Sequence, residues 1–145
     1  MRIADVLRRK GSTVATVTET TTITGLLAEM ATHNVRAMVV VRPDGSGGIA
    51  GMVSERDVVR KLHQRGANLL DQPVSEIMTS LVVTCSPDDA VDDLAAMMTD
   101  NRVRHVPVLV DGRLAGIVSI GDVVKTRLEE LEAEQEQLHA YITGG

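Results

Sequence analysis

The chain has 145 residues, 43% of them hydrophobic and 24% charged, and a formal net charge of −5. That length suits one ordinary domain, or two very small ones that share a core. An acidic balance and a single aromatic residue, Tyr141, argue against nucleic-acid binding, which needs a basic surface and usually stacking rings. Cys85 is the only cysteine, so no intrachain disulfide forms, and a buried small hydrophobe is its expected role. No apolar run approaches a signal-peptide core or a bilayer span, which makes the cytoplasm the expected location.

In chain order, the first expected element is a short apolar turn, IADVL at 3–7. A β-rich run, VATVTET at 14–20, comes next. A helix follows, with Ile23, Leu26, Leu27 and Met30 at helical spacing. NVRAMVVV at 34–41 reads as a strand, RPDGSGG as a turn and IAGMVS as a second strand. Asp57 then opens a helix, DVVRKLHQ. RGANLLDQPV at 65–74 is the linker.

The series then returns in the same order. VSEIM (74–78) lies over IADVL, VVTCSPD (82–88) over VATVTET, and VDDLAAMMTDN (91–101) over ITGLLAEMATH. Ser86-Pro87-Asp88-Asp89 is a helix start, with Val91, Leu94, Met97 and Met98 on one face behind it. RVRHVPVL and LAGIVS give the strand pair, and Asp122 opens the last helix. Differences in length fall in loop-like segments: RPDGSGGIAG is longer than VDGRLAG, and RRKGSTV is longer than TSLV. Each copy is roughly β-α-β-β-α and marginal alone. The expected class is α/β (α+β), with the apolar strand faces of the two halves buried against each other in one pseudo-symmetric unit. The expected boundaries are 1–71, 72–128 and a helical extension at 129–145.

Both copies keep one motif, GMVSERDVV at 51–59 and GIVSIGDVV at 116–124. Taken singly, the glycine is a packing point, the serine closes a strand and the aspartate caps a helix. Taken together, a Ser hydroxyl and a carboxylate at a strand–helix junction suit a nucleoside phosphate. The helix N-terminus favours anions, and a carboxylate accepts hydrogen bonds from ribose hydroxyls.

On these features the chain resembles a tandem pair of CBS domains, the family named after cystathionine β-synthase. The resemblance covers almost all of residues 1–128 and rests on the repeat, the doubled G-h-h-S-x-x-D motif and the VRHVPV strand. It implies a flat pseudo-twofold regulatory module, not an enzyme. The implied ligand is adenosine-containing (AMP, ATP, NAD or S-adenosylmethionine) and lies in clefts between the halves. A homodimer, an unidentified regulated protein and no required cofactor are implied as well. In the first cleft, Asp57 and Ser54 match the ribose position and Met52 the adenine slot. Arg36 matches the phosphate position, and Val82, Val83, Arg104, His105 and Pro107 come from the other half. In the second cleft, Asp122, Ser119 and Ile117 repeat those roles beside Arg36, Arg104 and His105, with Thr13, Val14 and Ala15 closing it. Arg36-Ala37 stands where the second copy has Arg104-His105, so the two clefts are expected to differ.

Two other readings stay open. One is a ligand-free dimerisation module. The other is a small nucleotide-using enzyme, although no nucleophile–base pair, metal motif or Walker loop is present. His33, His63 and His139 show no metal-ligand spacing. After Asp122 the last helix runs on, with Val124, Leu128, Leu131, Leu138 and Ile142 in a narrow seam that Gln135 interrupts. Such a seam either caps its own domain or packs on a second copy.

Overall fold

The computed structural model describes residues 1–80 and 83–144. The first half runs α1 (Ile3–Lys10), β1 (Thr16–Thr18), α2 (Ile23–His33), β2 (Ala37–Val41), β3 (Ile49–Ser54) and α3 (Glu55–Arg65). Two 3-10 turns, Ala67–Asp71 and Val74–Glu76, lead into α4 (Val91–Asn101), β4 (His105–Val110), β5 (Arg113–Ser119) and α5 (Ile120–Ile142). In the first half β1 runs parallel to β2, and β2 pairs antiparallel with β3. The second half repeats the hairpin as β4–β5, and among the described residues its β1 counterpart makes one parallel bridge, Cys85 to Val108. Helix boundaries follow the local chemistry. Thr22 caps α2 by accepting the Gly25 N–H at 3.1 Å, and α2 closes on Asn34 in the left-handed region.

The openings of the two halves differ most. IADVLRRK forms a helix of 8 residues, whereas VSE forms one 3-10 turn. Each opening also packs into the other half. Ile3 and Val6 of α1 belong to the core built by Cys85, Val91, Leu94, Met98, Val106, Val108, Val118 and Val123. Val74 and Ile77 belong to the core of Val17, Ile23, Leu26, Met30, Met38, Val40, Val53 and Val58. There are thus two aliphatic cores joined by exchanged segments, where apolar strand faces buried against each other were expected. The exchange gives each small half apolar cover it lacks by itself.

Backbone hydrogen bonds fix these crossings. The N–H groups of Ile3 and Ala4 donate to the carbonyls of Asp89 and Pro87, and the Val91 N–H donates to Met1. On the other side, Thr79 and Met52 exchange both N–H···O bonds, at 3.0 and 2.8 Å. Helix α5 turns Val123 and Thr126 inward at its start, and from Leu131 onward it is exposed throughout. The seam residues Val124, Leu128, Leu131, Leu138 and Ile142 are all exposed, so the seam does not fold over its own domain.

Candidate functional site: two unequal clefts

Both strand–helix junctions carry the same local device. Ser54 is the N-cap of α3; its Oγ accepts the Asp57 N–H at 3.3 Å, while Asp57 Oδ2 accepts the Ser54 N–H at 2.8 Å. Ser119 and Asp122 repeat this at 3.2 and 2.8 Å on α5. Each pair is a reciprocal capping box, which explains why serine and aspartate recur three residues apart. In each box Oδ2 is the engaged carboxylate oxygen: among the described residues neither Asp57 Oδ1 nor Asp122 Oδ1 has a hydrogen-bond donor.

Asp57 faces a cleft of about 490 Å³. Met52, Val83, Val103 and Ala37 supply its aliphatic lining. Five arginines also line it, Arg36, Arg56, Arg60, Arg102 and Arg104, against two carboxylates, Glu55 and Asp57. Elsewhere Arg8, Arg9, Arg65 and Arg127 are each held by a carboxylate, while Arg2, Arg42 and Arg113 form no ion pair among the described residues. No such ion pair forms to the five cleft arginines among the described residues. An acidic chain thus gathers unneutralised guanidinium groups at one concave place, which focuses a positive field there. Two of them are fixed at the backbone: the Glu55 N–H donates to the Arg36 carbonyl at 3.0 Å, and the Ile120 N–H to that of Arg104 at 2.8 Å.

Of the residues expected in the first cleft, Arg36, Met52, Ser54, Asp57, Val83, Arg104 and His105 line this one. Val82 lies outside the described residues. Pro107 is not in the lining; it is buried in β4 opposite Ile117, and its carbonyl accepts the Cys85 N–H at 3.0 Å. Arg56, Arg60, Arg102, Glu55 and Thr79 line the cleft without having been expected there. A signal existed for the arginines. Arg56 and Arg60 are four apart on the helix behind Ser54, so they share a face. Arg102 ends α4 where its repeat counterpart Asn34 ends α2, and both backbones are left-handed, at φ 54° and 52°.

The second junction is different. Beside Asp122 there is a cavity of only about 70 Å³, lined by Val6, Arg9, Lys10, Asp122, Lys125, Thr126 and Glu129. Lys10 Nζ donates to Asp122 Oδ2 at 2.6 Å and to the Ile117 carbonyl at 2.9 Å. Of the residues expected in a second cleft, only Asp122 lines this cavity. Arg36, Arg104 and His105 line the first cleft instead. Thr13 is exposed, Val14 is half-buried, and Ala15 packs against the first core. Ser119 serves the capping box and Ile117 lies in β5.

Charge follows this geometry. Burial pushes the Asp122 carboxyl up. The hydrogen bonds from Lys10 and Ser119 and the Lys10 charge outweigh burial and hold it below its usual value of 3.8. His105 is held below its usual 6.5, first by burial and then by Lys10 and Arg104, with Asp122 pulling the other way. Burial, helped by Asp89, pushes the Cys85 thiol up to about 12, so it packs as an unreactive apolar group. Among the described residues no helix is long and apolar enough to cross a membrane.

Known proteins share this architecture. A CBS-domain protein from Agrobacterium tumefaciens, ATU1752, is 43% identical, with a TM-score of 0.82 over 88% of this chain and 99% of its own. PAE2072 from Pyrobaculum aerophilum, a CBS-domain protein solved in complex with AMP, is 32% identical, with a TM-score of 0.75 over 84% of this chain and 89% of its own. The CBS-domain pair of protein MJ0100, solved with 5′-methylthioadenosine and S-adenosyl-L-methionine, is 25% identical, with a TM-score of 0.78 over 90% and 98%. The family profile of the CBS domain matches residues 3–64 and again 74–129. With two matched repeats, folded as such pairs fold, the chain belongs to the CBS-domain family.

Proposed function

We propose that this chain is a regulatory module that binds a phosphate-bearing adenosine ligand in the first cleft and passes its occupancy to a partner protein. One observation carries the reading: an unengaged Asp57 oxygen, an aliphatic slot and five unneutralised arginines meet in a single cleft. Vicinal ribose hydroxyls donate to such a carboxylate. Adenine fits between Met52, Val83 and Val103, and phosphate oxygens draw guanidinium groups. The cleft volume falls in the ordinary range of small-molecule sites, about 300–1,000 Å³. The AMP complex of the Pyrobaculum protein supports an adenosine ligand. The complexes of MJ0100 support the adenosine part and leave the choice between phosphate and sulfonium to the arginines of this chain.

The same reading makes the chain a cytoplasmic sensor without catalytic chemistry of its own and without a required cofactor. Occupancy acts by favouring whichever conformation binds the ligand better. We place the homodimer contact on the exposed seam of α5, where Val124, Leu128 and Leu131 lie uncovered. A ligand-free dimerisation module is the second reading, favoured by the capping boxes, which give Ser54 and Asp57 a purpose without any ligand.

Thermal unfolding against a panel of adenosine compounds separates the two. A ligand at a hundred times its dissociation constant adds about 2.7 kcal/mol. ATP, ADP and AMP are expected to raise the midpoint by several degrees, S-adenosylmethionine less, and Asp57→Ala to cut the rise by about half or more. No rise with any of them at millimolar concentration would leave the dimerisation module standing.

A further inference from the structure

We infer that Lys10 permanently occupies the second cleft, so that the chain takes one adenosine ligand and Lys10 decides which of two similar junctions receives it. This inference rests on the reading of the first cleft given above.

Met52 in β3 and Ile117 in β5 are repeat counterparts, each the residue after the motif glycine. The Met52 carbonyl is satisfied by the Thr79 N–H at 2.8 Å, so a backbone group fills that place and leaves Asp57 open to the cleft. The Ile117 carbonyl is satisfied at 2.9 Å by the Lys10 ammonium, which at the same time reaches Asp122 at 2.6 Å. One side chain thus supplies what a backbone amide does in the first half, and it also sets its charge on one carboxylate oxygen, Asp122 Oδ2. A ligand ribose that needs both Asp122 oxygens, or the space beside the Ile117 carbonyl, would have to displace a short charge-assisted hydrogen bond and strand that carbonyl.

Lys10 is also delivered rigidly. Ile3 and Val6 anchor α1 in the second core, Arg9 pairs with Glu129, and the N-terminal ammonium lies 3.3 Å from Glu130. The longer opening RRKGSTV builds the last turn of α1 and so places Lys10 there. The shorter opening TSLV has no counterpart to it. The cation set diverges in the same direction. Where the first junction has Arg56 and Arg60, the second has Gly121 and Lys125. The cavity left beside Asp122, about 70 Å³, is far below nucleoside size.

Calorimetric titration with ATP tests this on the full chain and four variants, with thermal unfolding of each variant as a check that it folds. The wild type is expected to bind one ATP per chain. Asp57→Ala should weaken it about tenfold or more. Asp122→Ala should leave ATP affinity within about twofold, because it removes only an internal pair. Lys10→Met should add a second, weaker site, and Lys10→Arg, which keeps a cation, should not. Two equivalents in the wild type would overturn the inference. So would an Asp122→Ala chain that loses ATP as Asp57→Ala does, or a folded Lys10→Met chain still limited to one. In each of those cases Asp57-dependent binding survives and the reading of the first cleft stands. Absence of ATP binding in every variant overturns that reading and this inference with it.

Discussion

Gly51 and Gly116 hold the same place in the two copies of one strand, yet each is a glycine for a different reason. A Cβ at Gly51 would collide with the Thr79 carbonyl oxygen and come within 3.2 Å of Met78 Sδ. At Gly116 it would meet Leu7 Cδ2 at 2.7 Å. Thr79 is backbone pinned by two hydrogen bonds to Met52, whereas Leu7 is a flexible side chain on α1. The strands are symmetric and the segments laid on them are not. Sequence kept the motif, and the openings of the two halves set what it faces.

The largest expected effect breaks or confirms that contrast directly. Gly51→Ala forces backbone apart and should cost about 3 kcal/mol, while Gly116→Ala asks only Leu7 to turn and should cost about 1 kcal/mol. Urea unfolding of the two variants measures both. Equal losses would mean that the Thr79 segment yields as easily as a side chain, and the two halves would then be mechanically alike.

A smaller effect sharpens the difference at the helix ends. Asn34 and Arg102 close α2 and α4 with nearly the same left-handed backbone, a conformation Asn tolerates better than Arg. Arg102→Asn should therefore stabilise the unliganded chain by about 0.5–1 kcal/mol. It should also weaken ATP binding, because it removes one of the five cleft cations. A variant that gains stability without losing ATP would take Arg102 out of the binding role.

Much of this was legible in the residues. The repeat, the hairpins and the helix faces follow from period and turn chemistry, and the doubled Ser–Asp spacing marks both strand–helix junctions without telling which of them opens into a cleft. The crossing of the openings was not legible. IADVL and VSEIM are apolar in the same pattern, and nothing local says that each covers the other half. The Lys10 contact was hidden for the same reason: Lys10 and Asp122 meet only because α1 lies on β5, across 112 residues of chain. Arg102 was visible only by comparison with Asn34, since a lone arginine after a helix reads as a solvated charge. Pro107 went the other way. It lies in a strand that borders the cleft, but it is buried opposite Ile117.

The smallest expected effect is a titration, and it bears on both clefts at once. His105 lines the first cleft, while the charges acting on it include Lys10 and Asp122 of the second. Burial comes first among the causes that lower its pKa, followed by the positive charges of Lys10 and Arg104, and Asp122 opposes them. The folded chain therefore takes up this proton less readily than the unfolded chain. The stability contributed by a neutral His105 is fully present above about pH 6.5 and is lost as pH falls toward the lower folded value. A proton NMR titration should place its midpoint below 6.5. Lys10→Met should raise that midpoint, since a nearby positive charge goes and the Asp122 carboxylate stays. ATP bound in the first cleft should raise it as well, because phosphate favours the imidazolium. If Lys10→Met leaves the midpoint unmoved, Lys10 does not sit in the second cleft in solution. If ATP alone leaves it unmoved, the phosphates lie on Arg56, Arg60 and Arg102, away from β4.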